Sequence, residues 1–157
     1  MHKTSQPAPA LEFALELRVE IGPPLAVGSS SSGLRRTIPI LGGTFAGPLI
    51  AGRVLPCGED WQLIESDGLT HLDAHYVIET EDGVRIEVRN QGLRHGSPEV
   101  MSRIAAGEPV APEEYYFRTA PRFHAPDGPY DWLRRSIFLG ACERYSDLVV
   151  VHVWKVA

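Results

Sequence analysis

Apolar residues along this chain recur mostly at every second position, in short runs separated by Gly, Pro, Asp and Ser. Period two is the signature of strands with one buried face. In the run LEFALELRVEI (11–21), Phe13, Leu15, Leu17, Val19 and Ile21 share one face. A helical reading aligns fewer apolar positions, so the pattern predicts a strand, ended by Gly22-Pro23-Pro24. Residues 25–33, with their Ser run, read as a loop. Short strands follow at 35–40 and 49–55. The glycines at 33, 42, 43, 47 and 52 predict a strongly curved sheet, because Gly inside strands marks bulges and corners. Residues 56–60 (PCGED) read as a turn and 61–65 as a strand. Residues 69–79 are the clearest strand, and Asp82-Gly83 turns the chain into a partner at 84–91. Ser97-Pro98-Glu99 is a helix start, with Val100, Met101 and Ile104 as the apolar face and Gly107 as the stop. A strand at 115–119, a loop at 126–129 and a helical turn at 130–134 lead to a closing hairpin, 136–144 with 148–156.

About eight to ten short strands and one short helix define an all-β chain of the sandwich or barrel type. The curvature and the closing hairpin favour an antiparallel β-barrel. With 157 residues, 43% hydrophobic and 22% charged, one core is expected. The domain is expected over 11–157, after a disordered, polar, Pro-interrupted tail at 1–10.

Charge narrows the partners. The net charge is −5, and the densest basic spots are the pairs Arg35-Arg36 and Arg134-Arg135. That is no counterion-releasing stripe, so no nucleic-acid partner is expected. No apolar run approaches a membrane span, and the start lacks the apolar stretch of a signal peptide. A cytoplasmic protein is expected, without a membrane partner. Cys57 and Cys142 match no metal-ligand spacing.

The strand THLDAHYVIE carries the most chemistry. His71, Asp73 and His75 share one face, and Leu72, Ala74, Tyr76 and Ile78 share the other. Either the apolar face is the core and the polar one meets solvent, or Asp73 and His75 line a polar cavity. His71 and His75 are about 13 Å apart along the strand, too far to share an ion easily, and no metal site is expected. Asp60-Trp61 reads as an acid or base beside a pocket wall, or as a turn-capping carboxylate beside a core residue. Arg36 and Arg118 are candidates for binding a ligand carboxylate or phenolate, or for a structural ion pair. Phe123, Tyr130 and Trp132 form a lid over a pocket or a plug in the barrel. No nucleophile elbow, Cys-His pair or phosphate loop occurs, so any enzyme here works through positioned acids and bases without a cofactor.

The runs RTIPILGGTFAGPLIAGRVLPCGEDW, DAHYVIETEDG, YYFRTAPRF and YDWL resemble the family known as domain of unknown function 3237. The resemblance spans about Phe13 to Val156. It implies a lipocalin-like (calycin-like) barrel and hints at small-molecule chemistry. Arg36, Asp60, Trp61, Asp73, Tyr76, Arg118 and Trp132 match its pattern; His75 stands where the family pattern implies Arg. The resulting expectation is a cofactor-independent isomerase, cyclase, hydratase or lyase acting on an aromatic, polyketide-like or oxo-acid substrate. Asp60, Asp73 and Tyr76 are its candidate catalytic residues. Arg36, Trp61, His75, Arg118, Phe123 and Trp132 are the candidate substrate-binding residues. The alternative is a lipocalin-like binding protein without catalysis, and a third reading is a structural subunit. A homo-oligomer is expected in any case.

Overall fold

Alternation governs the long strands. In the structure, a computed structural model that describes residues 5–157, the strands are β1 (Leu11–Ile21), β2 (Leu25–Ser30), β3 (Gly33–Ala46), β4 (Ala51–Ile64), β5 (Thr70–Thr80), β6 (Arg85–Gly96), β7 (Tyr115–Thr119), β8 (Arg122–His124), β9 (Ile137–Arg144) and β10 (Leu148–Val156). One helix, α1 (Pro98–Ala105), follows β6. The neighbours run β1-β10-β9-β7-β6-β5-β4-β3, and β3 pairs back onto β1, so 8 antiparallel strands close a barrel. β2 extends β3 outside the ring and β8 pairs with β6. Of the segment expected to be a tail, residues 1–4 lie outside the described residues; residues 5–10 form no regular element and are exposed.

Two sequence expectations are corrected. Residues 56–60 are no turn: they lie inside the 14-residue strand β4. A register shift between Val54 and Gly58 lets β4 bend, and Gly58 has φ +93. A Cβ at Gly58 would lie 2.0 Å from the His75 carbonyl oxygen, so this close crossing requires glycine. Gly43 meets the same condition, with φ +137 and 2.0 Å to the Arg18 carbonyl oxygen, where β3 crosses β1. These bulges carry strands that read from sequence as several short ones around the curve of one barrel. The second correction is β2. Its six residues are all exposed, so no buried face marks LAVGSS as a strand; it forms only because the edge of β3 beyond β1 supplies hydrogen bonds. The helix starts where expected, with the Ser97 hydroxyl accepting from the Val100 N–H at 3.2 Å.

The interior has two ends. Leu15, Leu17, Phe45, Val54, Ile78, Ile86, Val88, Phe138 and Val153 fill one of them. Further along the same inward faces the side chains turn polar: Arg36 on β3, Asp60 and Gln62 on β4, Asn90 and Arg94 on β6 and Arg144 on β9. The register aligns them, Arg36 opposite Gln62 and Asp60 opposite Ala74, which is in turn opposite Asn90. No helix among the described residues is long and apolar enough to cross a membrane.

Candidate functional site

The polar end of the barrel holds a narrow cavity of about 40 Å³ that opens to solvent on one side. One wall is apolar, from Val19 and Ile21 on β1, Ile38 and Ile40 on β3 and Val149 and Val151 on β10. The opposite wall carries Asp60, Gln62, Tyr76, Asn90, Arg94, Thr119, Cys142 and Arg144. Beyond it, an outer vestibule of about 410 Å³, partly open, is lined by Arg36, Arg94 and Arg144 together with Met101 and Ile104 of α1.

Strand alternation places Asp60 and Gln62 on the same inward face of β4. The Gln62 amide donates to Asp60 Oδ2 at 2.8 Å, and the backbone N–H of Asp73 donates to Oδ1 at 3.1 Å. The Gln62 carbonyl accepts from Arg36 Nε at 2.8 Å, which fixes the amide so that its NH₂ faces the carboxylate. Although Asp60 as a residue keeps some exposure, its carboxylate is densely surrounded. Burial therefore raises its pKa above the ordinary carboxylate value, against the opposing pull of Gln62, Arg94, the Asp73 N–H and Arg36.

Arg94 is buried, with its guanidinium 5.2 Å from the centroid of the Phe117 ring. Burial, with Arg144 and Arg36 nearby, lowers its pKa to about 10, so it stays a cation at neutral pH. Its Nε and Nη1, the Tyr76 hydroxyl and Asn90 Oδ1 are all buried without a protein hydrogen-bond partner. Each such group costs stability, on the order of 1–3 kcal/mol, and a cluster of them calls for an explanation. Cys142 is a different case. Burial pushes its thiol up to about 12, with Thr119 Oγ1 at 3.6 Å, so it is a neutral wall group rather than a nucleophile.

The sequence candidates separate accordingly. Asp60, Tyr76 and Arg36 meet at the polar end. Asp73 and His75 do not, because Leu72, Ala74 and Tyr76 take the inward face of β5. Asp73 receives Arg89 Nε and Nη2 at 3.1 and 2.9 Å on the outer face. His75 pairs there with Glu87 at 2.6 Å. Trp61 is 43% exposed and also points outward. Arg118 lies outside too, donating to the Phe117 carbonyl at 3.0 Å and standing over the Tyr116 ring. Phe123 and Trp132 pack on Phe138 at the apolar end, so they plug the barrel rather than cover the site. Among the described residues no group of three His, Cys, Asp or Glu is placed to hold a metal ion.

Gln62, Asn90, Arg94 and Arg144 escaped the sequence reading. The signal for two of them was present: Ile86, Val88, Asn90 and Arg94 share one face of β6, which begins apolar and ends polar.

Asp73 has a stability role instead. Its hydrogen bond to Arg89 leads the effects that lower its pKa below the ordinary value. A lowered carboxylate pKa stabilises the fold above the unfolded-state pKa, and that contribution is lost as pH falls through the folded-state value. Asp73→Asn is therefore expected to lower Tm at pH 7 by at most about 3 °C, since exposed pairs contribute little. The difference should vanish in acid. A thermal melt at both pH values checks this; an equal deficit at both would sink the ion-pair account.

A family model described as "Protein of unknown function (DUF3237)" matches residues 9–156. The chain belongs to the DUF3237 family. A DUF3237 relative, the "UPF0311 protein" of Rhodopseudomonas palustris (strain TIE-1), is 41% identical over 150 residues, covering 94% of this chain and 98% of the relative. The crystal structure of a "beta-barrel like protein" from Acinetobacter baumannii AYE superposes with a TM-score of 0.86 at 35% identity, covering 99% of this chain and 100% of that one. A "hydroalkoxylation enzyme" of Penicillium herquei is 34% identical over 85 residues, 54% of this chain and 56% of that protein. The crystal structure of an enzyme from the same fungus shares the fold, with a TM-score of 0.73 at 23% identity, covering 99% of this chain and 100% of that one.

Proposed function

We propose that this protein is a cofactor-independent small-molecule enzyme of the isomerase, cyclase, hydratase or lyase type. It acts by acid–base catalysis on an aromatic, polyketide-like or oxo-acid substrate held in the barrel. One observation carries the reading: a carboxylate, Asp60, is fixed by two donors inside a cavity whose other polar groups, on Tyr76, Asn90 and Arg94, have no protein partner. A desolvated acid beside unpaired hydrogen-bonding groups in a cleft is the arrangement that general acid–base chemistry needs. Asp60 takes or returns the proton, and Tyr76 or Arg94 stabilises the oxygen on which negative charge develops.

The Penicillium herquei hydroalkoxylation enzyme supports this class. In such an addition a substrate O–H loses its proton, a C–O bond forms, and the other alkene carbon gains a proton. Nothing is oxidised or reduced, so one positioned carboxylate with an adjacent cation provides for both transfers.

The test is incubation in D₂O with phenols carrying an ortho-alkenyl group, unsaturated oxo acids and 1,3-diketones, read by NMR. Deuterium at carbon in one class at a rate well above that of the same mixture without protein, with or without a change of skeleton, is the expected result. Binding with no product and no deuterium incorporation above the protein-free rate would replace this reading with that of a lipocalin-like carrier.

A further inference from the structure

Three guanidiniums stand where the inner cavity meets the outer vestibule. Arg94 and Arg144 line both spaces; Arg36 lines the vestibule and holds Gln62 at the cavity wall. Each of the three lies close enough to influence the others. The one carboxylate on the cavity wall is Asp60. On the walls themselves three guanidiniums thus face one carboxylate, with Asp147 acting on Arg144 from outside the lining, in a chain whose net charge is −5. Repulsion of this kind in a partly dehydrated space destabilises the fold unless an anion offsets it. Arg94 also keeps two N–H donors, Nε and Nη1, buried and without a protein partner.

The remaining unpaired groups extend the pattern. Tyr76 has a hydroxyl and Asn90 a carbonyl oxygen free on the same wall. Together they suit an oxygen function that both accepts and donates, such as a hydroxyl. Facing them is the apolar wall of Val19, Ile21, Ile38, Ile40, Val149 and Val151. The site is polar on one side only, and its enclosed part is narrow.

Resting on the catalytic reading of the same cavity, we infer that the substrate is an organic monoanion, a single-ring or short-chain carboxylate. Its acid group sits on Arg94 between Arg36 and Arg144. A second oxygen function sits deeper, toward Tyr76 and Asn90, and its hydrocarbon edge lies on the β1–β3–β10 wall. Charge-assisted hydrogen bonds to Arg, which offers a planar fork of donors, discriminate a carboxylate from its neutral amide. Larger substrates fit only if the bulk beyond the acid group projects into the vestibule beside Met101 and Ile104.

The probes are 4-hydroxybenzoate, 4-hydroxybenzamide and benzoate, titrated calorimetrically into the full chain. 4-Hydroxybenzoate, whose hydroxyl lies across the ring from its acid group, is expected to bind roughly 10-fold or more tightly than 4-hydroxybenzamide, the effect of one charged hydrogen-bonded pair. It should also bind more tightly than benzoate, which lacks the second oxygen. Arg94→Met should remove the acid-over-amide preference, and Arg144→Gln, a milder change nearer the surface, should reduce it. Equal binding of acid and amide, a preference that survives in Arg94→Met, or no binding by any probe would overturn the assignment. If Arg94→Met does not fold, Arg144→Gln and the wild-type acid-to-amide ratio decide. The two proposals fail separately. Selective acid binding without turnover of any class leaves the anion site standing and removes the catalytic reading. Turnover of a neutral substrate without acid selectivity does the reverse.

Discussion

Asp60→Asn is expected to cut turnover by roughly 10²- to 10⁴-fold, the contribution of a positioned general acid or base. The protein should remain folded. Asn keeps the shape and still accepts from the Asp73 N–H; it loses the bond that Gln62 donates to Oδ2. A charge is also removed from a dehydrated site. The folded-state pKa of Asp60 is raised, so the folded protein binds that proton more readily than the unfolded chain does. Stability therefore falls as pH rises from the unfolded-state pKa through the folded-state value, and ionised Asp60 is a net cost at pH 7. Loss of one hydrogen bond and relief of that cost should leave stability within about 1 kcal/mol of the wild type. The wild-type rate, with Asp60 as the base, should rise with pH through an apparent pKa above the ordinary carboxylate value, and the variant should lack that limb. Turnover by Asp60→Asn at the wild-type rate would remove Asp60 from the chemistry.

Phe138→Ala is expected to produce the largest loss of stability, about 3–5 kcal/mol, read as a lower urea midpoint with unchanged m. Phe138 is 1% exposed and inward-facing on β9. The Phe123 ring meets it edge-on at 5.2 Å and Trp132 lies at 6.2 Å. Truncation removes the ring on which both others rest, and the closed hydrogen-bonded wall limits how far they can collapse into the gap. A small domain has only about 5–15 kcal/mol in total, so this one ring carries a large fraction. A loss below about 1 kcal/mol would show that the plug repacks freely and that the three aromatics are not one unit.

Much of the fold was legible because alternation is a local property. In THLDAHYVIE the two faces could be separated residue by residue, and Leu72, Ala74, Tyr76 and Ile78 do point inward. Strand limits were harder. PCGED carries every composition mark of a turn, yet Glu59 and Asp60 pair with both β3 and β5, and Pro56 and Cys57 are only the bulge inside β4. LAVGSS carries no buried face at all. The site divided along the same line. Asp60 and Tyr76 were visible as candidates. Asp73 and Trp61 stand out by chemistry alone; each is flanked by inward-facing residues, and alternation therefore sends its own side chain outward. Arg94 lies beyond the strand that the sequence pattern limits to 84–91, and Asn90 falls at its polar end; in the structure β6 extends to Gly96, and a polar residue in that stretch carries no inward mark of its own. It is inward only because β6 runs from the packed end of the barrel into the open one, and that depth is set by the register of neighbouring strands.

The place of β1 between β3 and β10 has a consequence in time. Its pairings with β10 join Leu11 to Val156, nearly the greatest sequence separation available to the described residues. As the ribosome delivers the chain from its amino end, β1 emerges first and meets β3 early, but its other edge stays open until residues 148–156 appear. Throughout that interval the row of unpaired backbone groups on β1 is a template for any passing strand. Ring closure also pays its loop entropy late, for contacts far apart in sequence, which slows folding toward the millisecond-to-second range. The newborn barrel is thus most exposed to mispairing at β1, the earliest of its own strands.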